Sequence, residues 1–220
     1  METKHYPPPW HLKGQGFILP FLGNKTALLD KGFISESDKQ NFRGGLGAIM
    51  IVNYDSSNVG PYYELLFIPG DFYYENSPKK VYKKITKIFV STDISIQEGR
   101  LNWAIPKEFA NFNWIKKNNN TLISVESSLG EPILKAELNQ KFFSFPLTTK
   151  IYPITLLQKS EDDRLISTQF YGSGYGKMSS ILEWEANPKY FVDIVSISKF
   201  FLGISAHQFN ITFPLPEILK

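Results

Sequence analysis

Lys107 is the side chain of this sequence best placed to act as a nucleophile, in the segment GRLNWAIPKEF over residues 99–109. A lysine attacks a carbonyl carbon only as the neutral amine, so its pKa must fall from about 10.4 toward 7. Pro106 suits the first position of a helix, and we predict a short helix from Pro106 to about Phe112. The helix dipole and the apolar residues that begin at Trp103 would both disfavour the charged form of Lys107.

An exposed charge at the start of that helix is the alternative for Lys107. Local sequence alone favours this alternative, because lysine is seldom buried. Glu108 would stabilise the charged amine if its carboxylate reached it. Adjacent residues of a helix point in different directions, however, so Glu108 does not decide between the two interpretations.

Other catalytic chemistries find little support in the sequence. The chain contains no cysteine, which excludes disulfides, thiolate nucleophiles and cysteine metal sites. His5, His11 and His207 are far apart and lack the spacing of metal ligands. No strand–GxSxG–helix pattern is present either. We therefore expect no zinc or iron centre, and an iminium formed by a lysine would itself serve as the electron sink, so no organic cofactor is expected either.

Two conspicuous segments have structural rather than functional interpretations. Tyr171–Lys177 (YGSGYGK) lacks the spacing of a phosphate-binding loop, and we predict a tight turn between strands. The basic run over residues 78–87 (PKKVYKKITK) is predicted to be a solvated edge strand whose lysines block aggregation.

The elements that must position Lys107 are mainly strands. Segments rich in Val, Ile, Tyr, Phe and Thr recur between turn residues, among them Leu46–Tyr54, Tyr62–Ile68 and Val81–Ser95. Lys25–Asp30 is a second helix candidate besides the one at Pro106. This pattern predicts a mainly β (α+β) fold with a large, strongly curved antiparallel sheet or barrel and few short helices.

Composition and charge restrict the partners and the compartment. Hydrophobic residues make up 42% of the 220 residues, enough for a sizeable core, and the net charge is only +3. We expect neither a nucleic-acid partner nor a membrane partner, since the charge is small and no apolar run is long enough to span a bilayer. The polar, proline-rich N-terminus lacks a signal peptide's apolar region, so a cytoplasmic protein is expected.

Several segments resemble the acetoacetate decarboxylase family. Gly99-Arg100 followed by Ile105-Pro106-Lys107 matches the family's active-site segment, in which the lysine forms a Schiff base. Further similarity lies in three other segments, in the family's order: Pro8–Gly14, Asp55–Glu64 with its Gly-x-Tyr-x-Glu ending, and Asn210–Leu219.

The resemblance implies a single domain over residues 1–220, with a sheet closing into a cone or barrel around an apolar pocket, and a homo-oligomer. It gives Lys107 the role of Schiff-base nucleophile on a β-keto acid or related carbonyl compound, such as an acetoacetate-like one whose decarboxylation it catalyses, and so implies a lyase. Glu64 would transfer protons or position the substrate. Arg100, Lys13 and Glu108 are the implied substrate-binding residues, although Arg100 is also suited to a structural ion pair.

Three positions depart from the decarboxylase pattern. Glu108 stands where decarboxylases have a second lysine, Ile49 stands at the place of a family carboxylate, and only Lys13 lies near the place of an N-terminal arginine. Two alternatives to decarboxylation therefore remain open. One is aldolase or dehydratase chemistry through the same Schiff base on a larger keto acid, and the other is non-catalytic binding of an apolar small molecule in the pocket.

Overall fold

The structure of the protein is a computed structural model that describes residues 4–200 and 203–219. These residues are 57% strand and 12% helix, which confirms the predicted mainly β class. The described helices are α1 (Lys25–Lys31), α2 (Glu36–Lys39), α3 (Asp93–Trp103) and α4 (Ile194–Ile197). None of these helices has the length and apolar character required to cross a membrane.

The strands, in chain order, are β1 (Trp10–Gly23), β2 (Phe42–Gly44), β3 (Leu46–Ser56), β4 (Tyr62–Ile68), β5 (Asp71–Tyr73), β6 (Val81–Lys83), β7 (Lys87–Val90), β8 (Lys107–Phe109), β9 (Asn111–Lys117), β10 (Asn120–Glu126), β11 (Pro132–Thr148), β12 (Thr155–Lys159), β13 (Leu165–Gln169), β14 (Tyr171–Ala186), β15 (Ser198–Phe200), β16 (Gly203–Phe213) and β17 (Glu217–Leu219).

The strands form two sheets. The larger sheet has the order β8-β7-β4-β3-β1-β16-β14-β11-β10-β9, with β15 added beside β1. Its two ends approach each other, since the ring of Tyr63 on β4 stacks on that of Phe112 on β9 at 5.7 Å between centroids. The larger sheet is thus nearly closed into a barrel, as predicted. The smaller sheet has the order β17-β13-β12-β6-β5-β2.

The larger sheet is covered on both faces. One core takes residues from strands at opposite ends of the sheet, such as Phe89 and Ile123, and so fills the inside of the curve. The second core joins the other face, with Val52 and Leu66, to Leu156 of the smaller sheet. Burial on both faces explains why β3 and β4 read as nearly continuous apolar runs rather than as alternating strands.

The helix prediction beside Lys107 is wrong. Residues from Lys107 onward form β8, which pairs in parallel with β7, and the helix of this region is α3. Pro106 follows the end of α3, where Ala104 adopts a left-handed conformation with φ of 53°. Proline is common just after a helix end because it cannot continue the helix, so the same residue type marks a stop here rather than a start. The single strand predicted over Val81–Ser95 is also wrong, because this segment is divided between β6 and β7 in different sheets and its last residues begin α3.

The turn predicted over Tyr171–Lys177 is also wrong, because this segment lies within β14. A Cβ atom at Gly174 would lie 2.7 Å from Cα of Phe209 on β16, at a register shift between the two strands. Glycine here permits the close approach of two strands rather than a reversal of the chain.

The basic run is not a solvated edge strand. β6 lies between β12 and β5, and Lys83 and Lys84 are buried. Each pairs with a carboxylate, Lys83 with Asp71 at 2.7 Å and Lys84 with Asp38 at 2.7 Å. Charged side chains are tolerated in such positions only when paired, and these partners lie too far away in sequence for local reasoning to find them.

Lys84→Met is expected to lower the free energy of unfolding by about 2 kcal/mol at pH 7, because it leaves the partly buried Asp38 unpaired. Burial alone would raise the pKa of Asp38, but the Lys84 ammonium and the hydrogen bonds to the carboxylate outweigh it, and the pKa is lowered. Because the pKa of Asp38 is lower in the folded protein than in the unfolded chain, the ionised Asp38 stabilises the fold at pH values above about 4. The difference in unfolding free energy between wild type and Lys84→Met should therefore shrink as the pH falls below about 4. Urea titrations at pH 7 and pH 3 measure both effects, with Lys80→Met as the exposed control. Equal losses for Lys80→Met and Lys84→Met would contradict the prediction.

Candidate active site

Strand register brings Lys107 and Glu64 to one face of the larger sheet. Lys107 pairs with Ile88, which pairs with Leu66, whereas Glu64 lies one row away opposite Val90. Side chains two residues apart along a strand share a face of the sheet. The side chains of both rows, including those of Lys107 and Glu64, therefore point toward the smaller sheet. Lys107 is 4% exposed and Glu64 is 5% exposed. The exposed helix-start interpretation of Lys107 is therefore wrong.

The amine of Lys107 has polar partners on several sides. Its Nζ lies 3.1 Å from Oε2 of Glu64 and donates a hydrogen bond of 2.9 Å to Oγ of Ser95. A third, longer contact of 3.5 Å reaches the hydroxyl of Tyr62. Nζ also lies 4.9 Å from the ring centroid of Tyr62 and 6.0 Å from that of Trp10. The site is thus a buried lysine–glutamate pair with an aromatic wall.

The residues before Lys107 hold it in place. A Cβ atom at Gly99 would lie 2.8 Å from Cδ and 2.9 Å from Cε of Lys107, so the lysine side chain crosses α3 where only glycine leaves room. The guanidinium of Arg100 donates two hydrogen bonds, of 3.0 and 2.7 Å, to the backbone carbonyl of Lys107. The spacing of these three residues therefore lets the glycine make room for the lysine side chain while the arginine holds the lysine backbone.

Both ends of the chain contribute to the aromatic wall. The indole of Trp10 donates to the carbonyl of Tyr6, whose amide donates to the buried Glu98 of α3. Trp10 packs edge-on against Trp103, with ring centroids 5.0 Å apart. The indole of Trp103 in turn donates to the carbonyl of Pro214 at 3.0 Å.

Two buried tyrosines surround Glu64. The hydroxyl of Tyr54 donates to Oε1 of Glu64 at 3.3 Å, and Tyr62 lies on the side of Lys107. Burial, followed by the nearby Glu64 carboxylate, raises the pKa of both Tyr54 and Tyr62 well above the usual value. Both phenols are therefore protonated at neutral pH, and Tyr54 uses its hydroxyl proton to hold the Glu64 carboxylate.

A cavity of about 290 Å³ lies between the two sheets, and it is lined by Glu64 of this pair but not by Lys107. Glu64 and Tyr54 line one part of it, and the rest of the lining is overwhelmingly apolar. Ligand sites typically combine such apolar walls with a few convergent polar groups. No group of three or more His, Asp or Glu side chains suited to a metal ion occurs among residues 4–200 and 203–219.

Comparison with solved structures identifies the fold. The acetoacetate decarboxylase of Legionella pneumophila subsp. pneumophila str. Philadelphia 1 superposes with a TM-score of 0.69 over 100% of this chain and 92% of its own, at 15% identity. The chain has the acetoacetate decarboxylase fold. No family model and no curated protein matches the sequence, so the likeness is one of structure.

Two further structures share the acetoacetate decarboxylase fold. The enduracididine biosynthesis enzyme MppR, complexed with pyruvate, has a TM-score of 0.65 at 10% identity and covers 100% of this chain and 93% of its own. An acetoacetate decarboxylase-like enzyme from Sphingomonas wittichii RW1 has a TM-score of 0.63 at 9% identity and covers 98% and 94% of the respective chains. The predicted resemblance is thus confirmed for the fold.

The site residues predicted from the sequence do not all lie together in this fold. Lys107 and Glu64 lie together, and Arg100 reaches only the lysine backbone. Glu108 points away from the amine of Lys107 and pairs with Lys87 at 2.6 Å. Lys13 is exposed and lines a second, polar cleft together with Asp55 and His207. Arg100, Glu108 and Lys13 are therefore not among the partners of the Lys107 amine, and their roles in substrate binding stay predictions.

Sequence reasoning missed several side chains of the site. Tyr62 lies inside the Gly-x-Tyr-x-Glu segment, which was the available indication of its importance. Ser95 gave no indication, because its place next to the lysine depends on α3, whose first residues through Ser95 were predicted as strand. Trp10 lies inside the family-like segment Pro8–Gly14, which was likewise an available indication. Tyr54 lies on a strand as an ordinary apolar residue, and only the folded register shows it near Glu64.

Proposed function

We propose that this protein is an enzyme that forms a Schiff base between Lys107 and a carbonyl substrate. The observation that carries the proposal is the burial of the Lys107 amine against the Glu64 carboxylate beside an apolar cavity. A buried pair of this kind gives the ammonium proton a direct acceptor. Proton transfer to Glu64 would leave the neutral amine that attack on a carbonyl requires.

The chain's own side chains account for each step. The Lys107 nitrogen adds to the carbonyl carbon, and the oxygen takes up protons and leaves as water, which forms an iminium. Glu64 carries the proton released by the amine and is placed to return it. The hydroxyl of Tyr54, which lines the cavity and donates to Oε1 of Glu64, would hold that carboxylate in position beside the substrate. Hydrolysis of the imine at the end of the cycle restores the free lysine.

The fate of the iminium depends on the substrate. With a β-keto acid, loss of CO₂ would leave an enamine, which is then protonated and hydrolysed; this is acetoacetate decarboxylase chemistry. With a larger keto acid, the same iminium supports condensation or dehydration of the aldolase or dehydratase type. Both possibilities have a precedent among solved structures of this fold, which include an acetoacetate decarboxylase and MppR complexed with pyruvate.

A non-catalytic binding protein is the second candidate. It is favoured by the partners of the Lys107 amine, because Glu64, Ser95 and Tyr62 together occupy the three donors of an ammonium group. Lys107 would then be a permanent cation that closes one part of an apolar binding cavity.

Borohydride reduction in the presence of acetoacetate or pyruvate is expected to add the mass of the reduced ligand to Lys107. Intact-mass spectrometry and peptide mapping measure the adduct and its position between pH 6 and 9. Lys84→Met is the matched control, because it removes another buried, carboxylate-paired lysine and should leave the adduct unchanged.

The outcomes distinguish the candidates. A folded protein that forms no adduct with acetoacetate, pyruvate or a longer methyl ketone at any pH in this range would leave only the binding function. Where an adduct forms with acetoacetate, measured release of CO₂ would favour decarboxylation, and its absence would favour condensation or dehydration.

A further inference from the structure

We propose that the substrate carries a long, unbranched apolar chain that lies in the cavity between the two sheets while its carbonyl end reaches Lys107. The position of the carbonyl end rests on the proposed function. The position of the chain rests only on the shape and chemistry of the cavity.

The floor of the cavity is a regular strip of the larger sheet. Strand pairing aligns three rows of lining residues across β1, β3 and β4: Gly16–Val52–Glu64, Ile18–Met50–Leu66 and Pro20–Ala48–Ile68. Glu64 and Ile68 are four residues apart, which is about 13 Å along a strand. The floor therefore leads from the carboxylate to a distant apolar end without another polar side chain.

Small residues create the space above this floor. Packed sheets lie about 10 Å apart, and side chains normally fill the gap between them. Here Gly16 and Ala48 in two of the rows, with Ala206 on the adjoining β16, leave a slot. Ile85, Leu156 and Phe170 of the opposite side form its roof. A slot with hydrocarbon above and below fits an extended alkyl chain.

The two ends of the slot differ in chemistry. Glu64 and Tyr54 lie at the end near Lys107. At the other end, the lining includes Lys83, whose amine donates to the carbonyl of Leu46 and pairs with Asp71, so its charge is already balanced. A small polar keto acid would leave most of the slot unfilled, and polar groups along a longer ligand would lose their hydrogen bonds to water without replacement.

A series of methyl ketones from 2-butanone to 2-decanone tests the inference, because these compounds vary the chain and carry no acid group. The concentration that gives half-maximal adduct on reduction with cyanoborohydride should fall about three- to fourfold for each added methylene. The matching 1-alkanols, which cannot form an imine, should show the same dependence in calorimetric binding to wild type and to Lys107→Met.

Ala48→Phe should weaken the longer ligands at least tenfold by filling the slot, whereas Leu101→Phe at an exposed position of α3 should not change them. Length-dependent alkanol binding without any ketone adduct would overturn the proposed function and support the chain-binding slot. Adducts whose formation does not depend on chain length, together with alkanols that do not bind, would overturn the slot and leave the proposed function standing. If Ala48→Phe does not fold, the wild-type alkanol series alone decides.

Discussion

Lys107→Met is expected to abolish adduct formation and to lower the free energy of unfolding by about 3 kcal/mol at neutral pH. Loss of the adduct follows from removal of the nucleophile. Loss of stability follows from Glu64, which is 5% exposed and would remain in the interior as a carboxylate without its cation. Methionine keeps much of the volume of the lysine chain, so the unpaired carboxylate rather than a cavity dominates the effect.

The double variant Lys107→Met/Glu64→Gln separates the two consequences. It should recover most of the lost stability, because a neutral amide replaces the unpaired charge and can still accept from Tyr54. It should not recover the adduct. The measurements are urea unfolding and reduction with acetoacetate. An adduct that persists in Lys107→Met would place the reactive amine on another lysine, and an unchanged stability would show that Lys107 and Glu64 do not act as a buried pair.

Gly99→Ala is expected to slow adduct formation by about tenfold or more although alanine is the better helix former. Alanine within a helix is favoured over glycine by about 1 kcal/mol. At Gly99, however, the new methyl group would lie 2.8 Å from Cδ of Lys107 and would displace the amine from Glu64 and Ser95. Misplacement of a reacting group by about 1 Å can cost as much as 100-fold in rate.

The control for Gly99→Ala is Gln97→Ala, an exposed position on the same helix. It should leave the rate of adduct formation unchanged. The comparison uses the rate of borohydride trapping for each variant, with circular dichroism to confirm that α3 is intact. Equal rates for Gly99→Ala and wild type would mean that the position of the lysine side chain does not depend on the glycine.

The fold could be predicted from the sequence wherever burial leaves a local pattern. The strand Tyr62–Ile68 has the bounds that its apolar run indicates, and α1 closely follows the predicted Lys25–Asp30 helix. By contrast, α3 carries a glycine and two isoleucines and lacks a clear amphipathic pattern, so its helical state comes from packing against the strands. Pro106 then indicated a helix start because the preceding helix had not been recognised.

The site could be predicted only in part, because its chemistry depends on distant pairings. Family resemblance indicated Lys107 and Glu64, and register explains why they meet. No local pattern distinguishes Lys84, which is buried against Asp38, from its exposed neighbour Lys80. Nor does any local pattern show that Glu108 pairs with Lys87, because Lys87 lies on the adjacent parallel strand.

The aromatic wall of Lys107 also has a consequence for the order of assembly during synthesis. Trp10 emerges from the ribosome before the lysine, but the carbonyl that anchors Trp103 belongs to Pro214. Contacts between such distant positions form only after long loops have closed. The amine therefore remains hydrated on the nascent chain, and its dry environment is completed only after Pro214 has been translated.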